Sequence, residues 1–199
     1  MDLEKIDIIA IEEKLVTMLT PQRYQHSLGV MQTAEKMARR FGADVTKARL
    51  AGLLHDCAKD IDKDEMLMLC DKMGVELDPV KREQRSLIHA DLGARMLETE
   101  FGIKDSEIIN AVKYHTLGRA NMTDLEKILY LADVIEPNRK PYEGIDTLRQ
   151  LCESNLDCAM LFAIDRSVDY VRHRHKKLHS QTLETQQYFL TLCKERVTL

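Results

Sequence analysis

In residues 50–59 the sequence reads LAGLLHDCAK, so a histidine and an aspartate follow directly after an apolar run. Asp44 can cap a helix that continues through this run towards Lys59. A carboxylate at the buried end of a helix is costly unless a partner compensates its charge. A divalent cation bound by His55 and Asp56 would do so, since imidazole and carboxylate together suit iron, manganese, cobalt or zinc.

Helical periodicity of the apolar residues extends over most of the chain. Signals that start or stop a helix recur at intervals: Thr20-Pro21, Phe41-Gly42, Gly74, Gly102, Asp124 and Pro137. Residues 155–173 and the stretch after Thr182 are also helical by periodicity. Strand-like alternation is absent from the sequence, so we predict an all-α fold, a helical bundle.

Composition excludes several classes of protein. The chain has 199 residues, of which 44% are hydrophobic and 31% charged, which is typical of a folded globular protein. A net charge of −4 provides no basic field, so we expect no nucleic-acid partner. No apolar run approaches the ~18 residues of a membrane span, and we expect no membrane association.

The cysteines also give information about the compartment. The five cysteines are odd in number and form no CxxC pair, which indicates reduced thiols in a cytoplasmic protein. Cys57, beside the histidine–aspartate pair, has no separate base at a recognisable spacing, so we interpret it as a core thiol rather than a nucleophile. The basic run at residues 172–177 is interpreted as a solvated helix end.

Other polar residues interrupt apolar helical stripes in the same manner. Asp133 stands on the stripe that contains Leu129, and it needs either a metal or a buried salt bridge to Arg139 or Arg149. His26 lies on the inward face of the long helix that follows Pro21. His89 and His115 stand near the ends of two further apolar segments. Together these histidines and aspartates predict a metal site.

Cations accompany the proposed ligands. Arg23 precedes His26 by three residues and Lys59 follows Asp56 by three, so each shares a helix face with a ligand. Arg139, beyond the Pro137 break, can fold back onto the same site. A metal with converging arginine and lysine side chains suits phosphoryl transfer, although each cation alone could be a solvated surface charge.

Taken in order, four segments resemble the signature segments of the YqeK-like family of bacterial HD-domain proteins. They are residues 23–30 (RYQHSLGV), 51–59 (AGLLHDCAK), 114–119 (YHTLGR) and 129–139 (LYLADVIEPNR), and the resemblance spans about residues 20–190. It implies an all-helical HD-domain homodimer that binds iron, with manganese, cobalt or magnesium as the other candidates. The implied reaction is symmetrical hydrolysis of a dinucleoside polyphosphate, diadenosine tetraphosphate to two ADP, by attack of a metal-bound water.

The resemblance also implies roles for individual residues. The metal ligands would be His26, His55, Asp56 and Asp133. Contacts to the phosphates would come from Arg23, Lys59, His89, His115, Thr116 and Arg139. Either His89 or His115 could protonate the leaving oxygen. Residues 178–182 resemble a family segment that holds the nucleoside through His179, Gln181 and Thr182, although Ser180 stands where proline is common.

We expect one HD-type domain over residues 1–199, with its core at about 20–140 and C-terminal helices at 145–197 that complete the nucleotide site. Three alternatives remain open. The first is a phosphohydrolase of another nucleotide, such as a guanosine alarmone or a nucleoside monophosphate. The second is a di-iron HD oxygenase, in which His89 and His115 would be metal ligands. The third is a noncatalytic nucleotide sensor, which the complete ligand set disfavours.

Overall fold

The structure, a computed structural model, describes residues 6–197 and, for side chains, residues 6–194. Its helices are α1 (Ile8–Met18), α2 (Pro21–Phe41), α3 (Val45–Leu54), α4 (Lys63–Met73), α5 (Pro79–Glu83), α6 (Ile88–Phe101), α7 (Ser106–Tyr114), α8 (Asp124–Ile135), α9 (Ile145–Leu151), α10 (Leu156–His173) and α11 (Ser180–Val197). A short 3-10 helix, Arg85–Leu87, precedes α6. The described residues contain no strand, and the all-α prediction is confirmed.

Local signals define the helix ends. The Thr20 hydroxyl accepts a hydrogen bond from the backbone N–H of Arg23 (3.3 Å), and Pro21 is the first residue of α2. At the other end Gly42 takes a left-handed conformation (φ 72°), which stops the helix after Phe41. Gly74 and Gly102 end α4 and α6 in the same way, as predicted.

Two predicted boundaries were wrong. Helix α3 ends at Leu54 rather than continuing towards Lys59, because the chain tightens into turns in which the Lys59 N–H donates to the carbonyl of Asp56 (2.9 Å). Helix α8 is capped by Thr123 rather than Asp124. The Thr123 hydroxyl and the Glu126 side chain each accept from the other's backbone N–H, a reciprocal cap that Asp124 cannot make from within the helix.

The core forms where α2, α3, α7 and α8 pack against one another, with α6 on α7, and with α10 between α8 and α11. Gly52 allows α3 to approach α2 closely, since a Cβ there would lie 2.7 Å from the Cα of Met31. This packing brings the ends of α3 and α7 beside the last turn of α8 and the first turns of α2. None of the described helices is both long enough and apolar enough to cross a membrane.

Candidate metal centre

Three core helices bring the four predicted ligands together. His26 comes from α2, His55 and Asp56 from the end of α3, and Asp133 from α8. His26 Nε2 lies 2.9 Å from Asp133 Oδ1 and 3.9 Å from Asp56 Oδ2. His55 Nε2 lies 3.4 Å from Asp56 Oδ2 and 3.7 Å from Asp133 Oδ1. Ligand atoms at about 2.1 Å from one octahedral cation lie about 3.0 to 4.2 Å apart. These separations therefore fit a single divalent ion.

The donor atoms are free to bind a cation. His26 Nε2 and His55 Nε2 are buried and make no hydrogen bond of ordinary geometry among the described residues. The other ring nitrogen of each histidine is engaged, His55 Nδ1 with the carbonyl of Gly52 (2.8 Å) and His26 Nδ1 with Glu136 Oε1 (3.0 Å). Each Nδ1 can then carry the proton, which leaves an Nε2 lone pair for a metal. The residues present fit a divalent cation.

Asp56 contacts two groups of residues with its two carboxylate oxygens. Oδ2 faces the ligand set and accepts from Arg23 Nη1 at 2.7 Å. Oδ1 faces away, towards His89 Nε2 (3.3 Å), His115 Nε2 (3.7 Å) and Lys59 Nζ (3.8 Å). Asp56 therefore joins the ligand set to a second polar cluster, which comprises Lys59, His89, His115 and Thr116.

This second cluster is tightly connected. Lys59 Nζ lies 3.0 Å from His89 Nε2, and the His89 and His115 Nε2 atoms are 3.1 Å apart. Thr116 Oγ1 lies 3.3 and 3.2 Å from those same two nitrogens. His89 Nδ1 faces the carbonyl of Ser86 (2.8 Å) and His115 Nδ1 that of Val112 (2.6 Å). All the polar ends therefore converge on the space beside Asp56.

Arg139 folds back onto the site. Its guanidinium pairs with Asp133 Oδ1, and its Nε donates to the Asp133 carbonyl (2.7 Å). A salt bridge, the alternative to metal binding, is thus present in partly buried form, yet the same carboxylate oxygen also faces His26 and His55. Arg149 points elsewhere, towards Asp146 and the carbonyls of Ile135 and Glu136. Arg139 therefore adds a positive charge at the edge of the ligand set.

The charges perturb one another because the site is buried. Burial alone would raise the pKa of Asp56 and of Asp133, but the charge and hydrogen bonds of His55 and neighbouring groups hold both pKa values well below the usual range. Burial lowers the pKa of His55, yet Asp56 and Asp133 outweigh it and raise this pKa to about 10. Burial and Lys59 keep the pKa of His89 well below its usual value, so this ring is neutral.

The predicted nucleoside residues near the C-terminus lie outside both clusters. His179 Nε2 pairs with Asp78 Oδ2 (2.9 Å), Gln181 donates to the carbonyl of Gly118, and Thr182 is buried at the start of α11. Thr185 Oγ1 also donates to the Leu117 carbonyl (3.0 Å). The contacts of Gln181 and Thr185 attach α11 to the loop that follows His115 and Thr116, whereas His179 contacts the residue that caps α5.

Sequence reasoning missed Glu136 as a site residue. Its carboxylate is 1% exposed, accepts from the Asn138 N–H (2.7 Å) and contacts His26. Gly29 makes room for it, since a Cβ at that position would lie 2.3 Å from Glu136 Oε2. The available signal was a carboxylate three residues after Asp133, within reach of the same site.

An all-helical chain that brings a histidine, a histidine–aspartate pair and a further aspartate to one buried point has the organisation of a metal-dependent HD-type hydrolase. The HD domain family model matches residues 23–138, and the chain belongs to this family.

Relatives that carry names extend the comparison. The chain is 39% identical over 175 residues to the "Bis(5'-nucleosyl)-tetraphosphatase, symmetrical" of Bacillus subtilis, covering 87% of this chain and 92% of the relative. It is 32% identical over 191 residues to the protein of the same name from Staphylococcus aureus, covering 95% of both. A crystal structure from Clostridium acetobutylicum, of a predicted HD superfamily hydrolase involved in NAD metabolism, superimposes with a TM-score of 0.90 at 37% identity, covering 93% of this chain and 97% of that one.

Proposed function

We propose that this chain is a symmetrical dinucleoside tetraphosphatase that cleaves diadenosine tetraphosphate into two ADP with a divalent metal. The observation that carries the proposal is the buried set of His26, His55, Asp56 and Asp133, flanked by cations on both sides. The names and high coverage of the relatives support the choice of substrate. Iron as the metal and a homodimer as the assembly are part of the proposal and rest on the family resemblance.

The proposed ligands are these four residues. A divalent cation held by them supplies Lewis acidity, acidifying water and offsetting charge on the phosphoryl oxygens. Asp56 Oδ2 accepts a hydrogen bond from Arg23 (2.7 Å), and Asp56 Oδ1 faces His89 in the second cluster. Asp56 therefore connects the ligand set to that cluster. Glu136 and the carbonyl of Gly52 keep His26 and His55 in the orientation that presents Nε2.

The proposed phosphate contacts lie on two sides of this set. Arg23 and Arg139 would neutralise one side of the polyphosphate, and Lys59, His89, His115 and Thr116 the other. The neutral ring of His89 accepts from Lys59 through Nε2 and holds the ammonium towards the substrate. His115 is then the better placed imidazole to deliver a proton to the leaving oxygen.

The rest of the chain supports this site. We propose a single domain over residues 1–199 in which the C-terminal helices complete the nucleotide site. His179, Gln181 and Thr182 stay proposed nucleoside residues, and the hydrogen bond from Gln181 to the Gly118 carbonyl suits Gln181 to holding the loop after Thr116. A di-iron oxygenase is disfavoured because Lys59 Nζ, which has donors and no lone pair, lies 3.0 Å from His89 Nε2, where a second ion would bind.

The test is metal analysis of the purified protein together with chromatography of its products from diadenosine tetraphosphate. We expect bound metal at about one per chain and ADP as the sole nucleotide product. Equimolar ATP and AMP would refute symmetrical cleavage. Faster turnover of a guanosine alarmone or a nucleoside monophosphate in the same assay would favour the alternative phosphohydrolase, and two metals per chain with oxygen consumption would favour the oxygenase.

A further inference from the structure

A cavity of about 1040 Å³ opens on the His26 side of the metal centre. It extends from the first turns of α2, past residues 134–142, to the side of α10 that carries Ala163, Arg166 and Tyr170. His26 and Arg23 form its inner end, whereas Lys59, His89 and His115 are not among its lining residues. The cavity and the second polar cluster therefore lie on different sides of the ligand set. Its volume is that of a pocket for a drug-sized or nucleotide-sized molecule.

The lining of the cavity is positively charged. Arg23, Arg139, Lys140 and Arg166 contribute cations, in a chain whose net charge is −4. Each of the three arginines also pairs with a carboxylate, that of Asp56, Asp133 or Glu143. Among the described residues that line the cavity, Glu136 is the one carboxylate, and its oxygens are already engaged by His26 and the Asn138 N–H. A lining of this kind favours an anion of several charges, with its charged end near Arg23 and Arg139.

The outer part of the cavity is aromatic and apolar. Tyr142 is 37% exposed, and its hydroxyl donates to the Val134 carbonyl (3.0 Å), which holds the ring in place. Tyr170 on α10 is 59% exposed, and the Arg174 guanidinium carbon lies 5.7 Å from the centre of its ring. Leu148 and Ala163 add apolar surface. Exposed rings beside an apolar wall suit the stacking of a planar base.

We infer that this cavity binds one nucleoside diphosphate half of the substrate, with its phosphates towards Arg23 and Arg139 and its base against Tyr142 and Tyr170. The inference rests on the proposed function and deepens it. In cleavage at the middle of the chain, the reacting phosphorus carries the two halves on two different oxygens, so the halves extend from it in different directions. The cavity accepts one half, and the cluster of Lys59, His89, His115 and Thr116 lies on the side of the other.

The experiment uses calorimetry to measure the equilibrium binding of ADP to the metal-loaded protein. We expect two ADP per chain in the original protein. Tyr170→Ala and Arg166→Gln should each weaken one of the two sites by about 10-fold or more, because each removes a stacking or charge contact. The matched control is Arg95→Gln, which removes an exposed charge paired with Glu98 (2.7 Å) and should bind as the original protein does. Tyr170→Phe, which keeps the ring, should restore most of the binding that Tyr170→Ala loses.

Each other outcome overturns the inference. Binding of only one ADP per chain would exclude a nucleoside in the cavity, as would two ADP sites that Tyr170→Ala leaves unchanged. If Arg166→Gln alone weakens ADP binding, the cavity binds phosphate but not the base. Metal content measured in every variant checks that the ligand set is intact. The proposed function fails separately: ADP bound in the cavity without cleavage of diadenosine tetraphosphate would refute the reaction while leaving the nucleoside diphosphate site in place.

Discussion

Glu136 Oε1 lies 3.0 Å from His26 Nδ1, on the side of the imidazole ring that faces away from the other proposed ligands. A carboxylate at this position accepts the Nδ1 proton, so that Nε2 presents its lone pair to the metal. The contact also raises the basicity of the ring as a ligand. Glu136 is therefore a positioning residue, which acts on the metal through His26.

Glu136→Ala should lower the affinity for metal by about 10- to 100-fold, as is typical for loss of such a partner. Competition with a chelator measures the affinity, and circular dichroism checks that the variant is folded. Glu153→Ala is the matched control, since Glu153 pairs with Lys36 on the surface (3.2 Å). Unchanged metal affinity in Glu136→Ala would show that the carboxylate has only a structural role.

Asp56 and Asp133 supply the negative charge of the ligand set. Changing either to alanine should abolish both bound metal and hydrolysis, because each substitution removes a ligand and leaves buried imidazoles without a charge partner. Elemental analysis and the ADP assay measure the two losses. Asp71→Ala is the control, since Asp71 pairs with Arg82 in an exposed position (3.3 Å). Full metal occupancy in either ligand variant would contradict the assignment.

The sequence predicted the fold well because its signals are local. Thr20, Gly42, Gly74 and Gly102 determine helix ends through their own backbone and side-chain preferences, and those ends lie where predicted. The end of α3 could not be predicted, since apolar residues resume at Cys57 and Ala58 after His55 and Asp56. That helix stops where the chain turns to present His55 and Asp56, which depends on the packing of α2 and α8.

The sequence predicted which residues form the site, but not the contacts between them. Buried histidines and aspartates interrupt apolar stripes and can be recognised one at a time. By contrast, the contact between Glu136 and His26 joins residues 110 positions apart, and no local pattern predicts it. The cavity at Tyr142 and Tyr170 likewise depends on how α10 packs on α8. Such relations between distant segments require the folded chain.

Metal affinity should rise with pH. In metal-stripped protein the pKa of His55 is raised to about 10, so its proton must leave before Nε2 can bind an ion. The apparent affinity should therefore increase about tenfold per pH unit between about pH 7 and 9. Calorimetry in buffers of different ionisation enthalpy should detect at least one released proton per ion. Affinity independent of pH would mean that His55 is already neutral.

The same pKa has a consequence for stability. Because the folded-state pKa of His55, about 10, lies above the ordinary value of about 6.5, the protonated ring stabilises the metal-free fold. This contribution is complete below about pH 6.5 and is lost as the pH rises through about 10. Denaturation of the stripped protein with urea at several pH values should show that decline, while a His55→Gln variant should lack it.

Cys57 should be dispensable for hydrolysis. The thiol is fully buried, and burial together with the Asp56 carboxylate raises its pKa to about 12, so it is not a thiolate at neutral pH. Cys57→Ala should keep kcat/KM within a few-fold of the original value and should keep its metal. The thermal midpoint should fall, because the side chain fills space against Gly93. Loss of turnover with metal retained would instead indicate that the Cys57 thiol acts as a nucleophile.

Substitution of Lys59 can distinguish the binding of phosphate from the binding of metal. Its Nζ lies 3.8 Å from Asp56 Oδ1 and 3.0 Å from His89 Nε2, close to the ligand set, yet an ammonium has no lone pair with which to bind an ion. Burial lowers the pKa of this lysine, while Asp56 and Asp133 oppose the shift and favour the charged form. The side chain is therefore a positive charge aimed at the space that a substrate phosphate would occupy.

Lys59→Met keeps much of the side-chain stem and removes the charge. If Lys59 stabilises charge in the transition state, kcat/KM should fall by roughly 10- to 1000-fold while the metal content stays constant. Lys36→Met is the matched control, because Lys36 has a side chain that is 71% exposed and pairs with Glu153. Wild-type kinetics in Lys59→Met would mean that Lys59 is a solvated lysine with no role in hydrolysis. Loss of metal would mean that it holds His89 and Asp56 in place rather than the substrate.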